Sequence, residues 1–466
     1  MLPEPPSGFW AVLRQAVAGS EEDFTRGAIG RAVVLLAVPM VLEMAMESIF
    51  ALCDVFFVSR LGTDAVATVG LTEAMVTLVY ALAEGMGLAI TAMVARRIGE
   101  RNHEGAAVAA VQAIALGLAA ALLIAAPGIL FAPQLLRLMG GSPQLVAAGA
   151  GYTAVLLGGS VTIFLLYLLN AIFRGAGDAA IAMRVLWVAN GINLVLDPCL
   201  IFGLGPFPEM GVTGAAVATT IGRGIGVVYQ LGVLLSGRGR VWVKPSQLRI
   251  APAVMMRLLR VSVGGVLQFL IGTSSWIALV RIIGYFGSAS VAGYTIAIRL
   301  VIVAILPSWG VGNAAATLVG QNLGARQPER AEASVWKAGL YNVVFLVAVA
   351  VVFIAGAQYL IRFFAADPMV VGYGIDCLRY VSYGNAFYAY GMVIVQAFNG
   401  AGDTKTPMVV NLFCYWLFQI PLAYVLAISA GLGPRGVFLA IVLAEALMTV
   451  VAVVIFRRGK WKSREI

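Results

Sequence analysis

Twelve long apolar stretches, separated by short polar connections, recur along the 466 residues of the chain. Most are longer than the roughly 20 residues that a helix needs to cross a bilayer. Only 11% of the residues are charged, against about 25% in soluble domains. The predicted fold class is an all-α integral membrane protein with twelve transmembrane helices. The predicted spans are residues 32–58, 66–95, 108–133, 145–173, 182–204, 212–235, 258–284, 290–318, 338–361, 372–399, 408–430 and 436–456.

The positive charge of the chain is distributed unevenly between its polar connections. An even number of spans places both termini on one side of the membrane. If that side is the cytoplasm, 23 Lys and Arg residues are cytoplasmic, six are external, and Arg223 and Arg299 lie within spans. This follows the positive-inside rule, so we expect a multi-pass protein of the plasma (inner) membrane with cytoplasmic termini. The net charge of +9 is then a topology signal, and nucleic acid is not an expected partner.

The two halves of the chain repeat each other at an offset of 225 residues, without a gap from Gly62 to Met183. Matching pairs are Gly62 and Gly287, Gly99 and Gly324, Arg101 and Arg326, Pro143 and Pro368, and Asp178 and Asp403. Six spans per repeat predict two parallel repeats around a central cavity, as in transporters. The predicted organisation is an N-terminal segment 1–31, a first lobe 32–235, a cytoplasmic linker 236–257, a second lobe 258–456 and a basic tail 457–466.

Three carboxylates, those of Glu43, Glu47 and Asp54, interrupt the first apolar span. Their helical spacing places them within a sector of roughly 40°. A charge at the centre of a bilayer costs at least about 2.5 kcal/mol on insertion scales. A span that keeps three acids is therefore expected to bind protons, cations or a cationic substrate. The second lobe is mostly apolar at the equivalent positions, which favours an ion site in the first lobe.

A second polar face lies in the fifth span, where Asn190, Asn193 and Asp197 fall within about 60° of one another. Carboxylate and amide oxygens are hard ligands that suit Na⁺ or a shared proton. Pro198 is expected to break the helix just beyond Asp197 and to free nearby carbonyl groups. A transition-metal site is not expected, because the only histidine, His103, lies in a charged loop.

The intramembrane acids also permit purely structural interpretations. Asp197 could be only a local hydrogen-bond acceptor, and Asp54 could be only interfacial. Glu43 and Glu84 could be paired structural acids. The Gly-Ala-Gly segment before Asp178 is interpreted as a helix end, in which glycine closes one helix and Asp178 caps the next.

Taken together, these features resemble the multidrug and toxic compound extrusion (MATE) family over roughly residues 25–456. The resemblance rests on Pro39, Cys53-Asp54-Val55 before Leu61-Gly62, the Arg174-Gly-Ala-Gly-Asp178 loop and Asn193-x-x-x-Asp197-Pro198. It implies a secondary antiporter, coupled to H⁺ or Na⁺, that exports organic, mainly cationic drugs or toxins by alternating access. It also implies no enzymatic activity and no cofactor apart from the coupling ion.

Within that family, the chain is similar to the archaeal and DNA-damage-inducible branch, which places its cation site in the first lobe. The resemblance implies a cation-coupling site, and a Na⁺ site if Na⁺ is the coupling ion, formed by Asp54, Asn170, Asn193 and Asp197. It implies a conformational hinge at Pro39. The expected substrate or proton path contains Glu43, Glu47, Tyr152, Met40 and Glu84.

One alternative function is a flippase for lipid-linked glycans of the same superfamily. Such a protein should present Arg and Lys side chains to pyrophosphate, whereas only Arg223 and Arg299 lie well within the predicted spans. An intramembrane enzyme is a further class, but no nucleophile–base pair or metalloprotease motif supports it. We expect a monomer that acts on small organic cations in the lipid bilayer; the sequence does not distinguish H⁺ from Na⁺.

Overall fold

The structure, a computed structural model, describes residues 8–466, apart from the side chains of residues 51, 52, 55 and 59. The first seven residues of the predicted N-terminal segment lie outside it. The described chain is all-helical. Its α-helices are α1 (Phe9–Ala18), α2 (Ile29–Ser59), α3 (Thr63–Gly99), α4 (His103–Leu130), α5 (Ala132–Leu138), α6 (Pro143–Gly158), α7 (Ser160–Ala176), α8 (Ala179–Phe202), α9 (Val212–Ser236), α10 (Pro252–Gly284), α11 (Ser288–Gly324), α12 (Pro328–Phe364), α13 (Pro368–Tyr383), α14 (Asn385–Gly400), α15 (Lys405–Asn411), α16 (Ile420–Tyr424) and α17 (Pro434–Arg457). Two π-helical segments, Leu412–Gln419 and Val425–Ser429, flank α16.

In the described residues, eleven helical segments are long and apolar enough to cross a membrane, which confirms an all-α membrane protein. The predicted tenth span, 372–399, was wrong as a single helix, because α13 and α14 are separated at Gly384. The predicted fourth span, 145–173, agrees with the single membrane span Pro143–Ala176, although its helix is interrupted at Gly159 between α6 and α7. Hydropathy does not reveal such breaks. At Gly159 an added Cβ would lie only 2.7 Å from Thr220 Oγ1 of α9, so this approach favours glycine.

The sequence repeat is also a repeat of backbone conformation. Helices α3 and α11 each contain 37 residues and begin after glycines with φ of 99° and 98°. The connections that follow these helices contain Arg101 and Arg326, both with φ of 58°, which is unusual for residues other than glycine. Helix lengths and turn conformations are therefore duplicated together.

Helix α2 packs against both halves of the chain. Its first turns contribute Val33, Leu36 and Met40 to an apolar core that also contains Val311 and Phe398 of the second half. The same helix packs beside α8 of the first half. Conversely, the start of α10, the first helix of the second repeat, packs against the first half, because Leu258 belongs to the core of that half. The division into lobes at residues 236–257 remains a prediction, since the first helix of each repeat packs partly in the core of the other half.

The two halves meet closely on the membrane face that carries both ends of the described chain, here called the termini face. A Cβ added to Gly99 of α3 would overlap the carbonyl oxygen of Gln321 in α11, and one added to Gly324 would overlap that of Arg96. Among the described residues, nothing lies within 4 Å of a Cβ added at Gly62, at the other end of α3. The halves are thus sealed at the termini face.

The segment before α2 reinforces this seal. Phe24 is only 2% exposed, and its carbonyl oxygen accepts a hydrogen bond from Arg330 of α12 at 3.2 Å. Arg240, in the linker after α9, donates to the carbonyl oxygen of Glu22 at 2.7 Å. This segment consequently bridges the linker and the second half of the chain.

Gly177 and Asp178 connect α7 to α8. Gly177 adopts a left-handed conformation with φ of 91°, which confirms its predicted role at the end of α7. The predicted capping role of Asp178 was wrong, because its side chain makes no cap hydrogen bond. Its carboxylate instead accepts the backbone N–H of Arg240 at 2.6 Å and pairs with the Arg240 guanidinium at 3.3 Å. Burial raises the pKa of Asp178, although Arg240 opposes that shift.

The close approach at Gly99 gives a stability prediction. We expect Gly99→Ala to destabilise the protein by about 1–3 kcal/mol, because the added methyl group forces the backbones of α3 and α11 apart. Thermal unfolding in detergent should report a lower melting temperature. Gly70→Ala is the matched control in α3, because no described atom lies within 4 Å of its added Cβ. Equal melting temperatures for the two variants would contradict the proposed contact.

Candidate functional site

Asp197 is fully buried on α8. In the amide orientation that satisfies both of its polar atoms, Asn193 donates from Nδ2 to Asp197 Oδ2 at 2.8 Å. Asn193 Oδ1 then accepts a hydrogen bond from Thr219 Oγ1 of α9 at 3.0 Å. Among the described residues, Asp197 Oδ1 has no hydrogen-bond partner. One carboxylate oxygen therefore remains available for a proton or a cation.

Asp54 lies in the last turns of α2 and faces this site. It interacts electrostatically with Asp197 and with Arg223. Arg223 is itself buried, and its Nη2 donates to the hydroxyl of Tyr80 at 2.8 Å. Tyr152 is 4% exposed and also interacts with Asp54. The structure thus brings together Asp54, Asn193, Asp197 and Tyr152, with Thr219 and Arg223 as members that the predicted site did not include.

Asn170 does not join this group. Its Oδ1 accepts a hydrogen bond from Gln230 Nε2 of α9. Gln230 lies eleven residues beyond Thr219 on that helix, which corresponds to about 16 Å along its axis. Asn170 and Asn193, the partner of Asp197, consequently contact α9 at different levels, and the grouping implied by the family resemblance is not seen here.

Pro198 does not break α8, contrary to the expectation from sequence. The helix continues to Phe202 and ends before Gly203, which is left-handed with φ of 68°. Proline removes only one backbone hydrogen-bond donor, and in membrane proteins neighbouring groups can satisfy the carbonyl that loses its partner. The hydrogen-bond environment of Asp197 is thus made by side chains rather than by an unwound helix.

A second acidic group surrounds Arg174 near the end of α7. Arg174 Nη1 lies 3.1 Å from Glu43 Oε1, and these side chains are 10% and 1% exposed. Glu47 and Glu84 interact electrostatically with Glu43. The sequence pattern assigns Arg174 to a loop, but it lies in the last turn of α7. Helical side chains lean toward the N-terminus, and this one reaches back into the protein.

The Arg174 group adjoins the contact between the halves. Thr317 Oγ1 of α11 donates to the backbone carbonyl of Arg174 at 3.0 Å. Met40 is fully buried, and a Cβ added to Gly310 of α11 would lie 2.6 Å from its carbonyl carbon. The structure thus places Met40 in a helix contact rather than in an open path. Pro39 lies inside α2, which continues through it.

Helix α2 carries members of both acidic groups, Glu43 and Glu47 in one and Asp54 in the other. Arg223 connects the groups, because it interacts electrostatically with Asp54 and Glu47. Carboxylates arranged in this way can hold protons or small cations at successive depths. No group of three His, Cys, Asp or Glu side chains suited to a metal occurs in the part of the chain that the structure describes.

Comparisons with known proteins identify the same architecture elsewhere. A family model described as MatE matches residues 39–199 and 266–425. A probable multidrug resistance protein NorM from Thermotoga maritima is 25% identical over 446 residues, which cover 94% of each chain. An FAD transporter from Shewanella oneidensis is 27% identical over 424 residues, 90% of this chain and 92% of that one. A structure described as the outward-facing conformation of a multidrug resistance MATE transporter of the MOP superfamily has a TM-score of 0.88 and 28% identity, and covers 93% of this chain and 96% of its own.

The buried pair of Glu43 and Arg174 gives a second prediction. We expect Arg174→Met to destabilise the protein by about 3–5 kcal/mol, because Glu43 is left buried without its cation. Adding Glu43→Leu should restore part of the loss, since the carboxylate that pairs directly with Arg174 is then also removed. Melting temperatures of the two single variants and the double variant measure this coupling.

A matched control is the exposed pair of Arg435 and Asp376, in which the Arg435 side chain is 62% exposed. Arg435→Met should change the melting temperature little, because exposed ion pairs contribute little to stability. A double variant at positions 43 and 174 no more stable than Arg174→Met would contradict the coupling.

Proposed function

Because the chain belongs to the MatE family of multidrug resistance transporters, we propose that it exports organic, mainly cationic compounds in exchange for H⁺ or Na⁺. The observation that carries this proposal is the open oxygen of buried Asp197, beside the carboxylate of Asp54. Two acids in one low-dielectric site repel each other strongly when both are ionised. A proton or Na⁺ that enters the site relieves this repulsion.

Helix α2 is the element that we propose transmits ion binding. Its outer part carries Asp54, and its inner part packs in a core with the second half of the chain. A change of charge at Asp54 would therefore act on the contact between Met40 and Gly310. We place the proposed hinge at Pro39, because proline removes one backbone hydrogen bond from the helix there.

The balance of buried charge supports a cationic substrate. Glu43, Glu47 and Glu84 interact with one another and together exceed the single charge of Arg174, with which Glu43 and Glu84 interact. An anionic substrate, such as a lipid-linked pyrophosphate or a flavin dinucleotide, would need free cations. Arg174 is already paired with Glu43, and Arg223 donates to a tyrosine hydroxyl.

We further propose that the termini face is cytoplasmic, in a monomeric protein of the plasma (inner) membrane. The excess of Lys and Arg on that face supports this orientation. The seal at Gly99 and Gly324 then closes the cytoplasmic side, so that the structure corresponds to an outward-facing state. Its similarity to a transporter described as outward-facing agrees with this assignment. The position of the acids in the first half favours the branch with a first-lobe cation site.

The transport prediction concerns Asp54→Asn and Asp197→Asn. In proteoliposomes with an imposed pH or Na⁺ gradient, we expect each variant to lose at least about 90% of gradient-driven ethidium movement. The neutral amide cannot exchange its charge for a bound ion, although it has nearly the same shape. Transport by the wild-type protein under one gradient but not the other identifies the coupling ion.

The control is Asp64→Asn, because Asp64 is an exposed acid in the first turn of α3, near the same face as Asp54. It should transport as the wild-type protein does. Normal gradient-driven transport by both variants of the buried acids would refute the site assignment. Movement of FAD but not of ethidium by the wild-type protein would refute the cationic substrate.

A further inference from the structure

A small cavity lies inside the second half of the chain, away from the Asp54 site. Its volume is about 50 Å³, which is enough for several water-sized groups. Helices α10, α11, α13, α14 and α17 enclose it together with the π-helical segment Leu412–Gln419. Most of its lining is apolar. The aromatic and polar side chains at its wall are Trp276, Tyr294, Asn385, Tyr388, Gln419 and Glu445.

Glu445 is the acid of this cavity, and the described residues leave it only partly satisfied. Its Oε1 accepts a hydrogen bond from the Tyr415 hydroxyl at 3.2 Å. Its Oε2 is shielded from solvent and has no partner within the described chain. The Tyr294 hydroxyl, on the same cavity wall, is also buried and unpartnered there. Two independent polar atoms are thus available to a ligand.

The internal repeat shows why this acid is unusual. Helices α9 and α17 begin after Gly211 and Gly433, whose φ angles are 55° and 62°. Arg223 and Glu445 each lie twelve residues beyond these glycines. Arg223 donates to a tyrosine hydroxyl, whereas Glu445 accepts from one. Equivalent positions therefore carry opposite charges.

The acids of the first half have Arg174 and Arg223 as counter-ions, but Glu445 has no such cation. No ion pair to Glu445 occurs among the residues that the structure describes, and the Tyr415 hydroxyl is its one hydrogen-bond donor there. A buried carboxylate without a cation is costly. A positively charged ligand would remove this cost.

The surrounding helices depart from regular geometry at the cavity. Gln419 comes from a π-helical segment, and the break between α13 and α14 at Gly384 reaches the cavity wall. π-Helical turns are rare and occur frequently at functional sites. Trp276, at the cavity wall, is 41% exposed.

We propose that this cavity binds the ammonium group of an organic cation, with Glu445 as its counter-ion. The rings of Trp276, Tyr294 and Tyr388 supply the aromatic faces to which such groups are attracted. A hydrogen bond of 2.9 Å from Trp309 Nε1 to the Tyr388 hydroxyl orients one of these rings. The inference rests on the proposed function in that it names a second place where a cationic substrate is held.

The test compares choline with 3,3-dimethyl-1-butanol, its neutral isostere, by isothermal titration calorimetry on the purified full-length protein. We expect choline to bind at least about tenfold more tightly than the alcohol. Glu445→Gln should remove this preference, because it keeps the shape of the side chain but removes its charge. Asp376→Asn is the matched control, because it removes a carboxylate of the second half that is paired outside the cavity.

The measurement uses no ion gradient, so its outcome is separable from that of the transport experiment. We expect Asp54→Asn to retain choline binding. Loss of binding in Asp54→Asn but not in Glu445→Gln would assign the cation to the first half and overturn this inference. Equal binding of choline and the alcohol by the wild-type protein would overturn it without any variant, even if Glu445→Gln does not fold.

Discussion

Contact between backbones at the termini face is the constraint on which the arrangement of the two halves depends. At Gly99 and Gly324 the neighbouring helix approaches so closely that no side chain fits. Small residues permit such contacts, and in lipid the gain is chiefly in van der Waals packing. Further from that face, Gly85 of α3 meets Val266 of α10, and Gly310 of α11 meets Met40 of α2. The glycines therefore set how closely the two halves approach each other.

The second constraint is that charge buried in a membrane protein must be compensated. The first half does this with its own cations, since Arg174 pairs with Glu43 and Arg223 lies near Asp54. The second half leaves Glu445 without one. In the first half a bound ion changes an existing charge balance, whereas in the second half a ligand would complete it. The repeat thus yields two related scaffolds with different electrostatic requirements.

Much of this architecture could be predicted from sequence, because apolar length and the 225-residue offset are local and repetitive signals. The proximity of Asp54 and Asp197 was accessible only through family resemblance, since their helices are distant in sequence. Asn170 shows the limit of that resemblance, because its amide oxygen accepts a hydrogen bond from Gln230 on a neighbouring helix. Arg174 shows a limit of charge patterns, which do not report the direction of a long side chain at a helix end. Helix breaks at single glycines leave no trace in hydropathy.

The break at Gly384 has a consequence for biosynthesis. Helices α13 and α14 contain 16 residues each, or about 24 Å, which is less than the roughly 30 Å of a hydrocarbon core. Neither is long enough to cross the bilayer alone, so the pair must enter it as one hydrophobic unit. A strongly polar residue at this junction would divide that unit. The helices that follow, including the one that carries Glu445, would then enter the bilayer with reversed polarity.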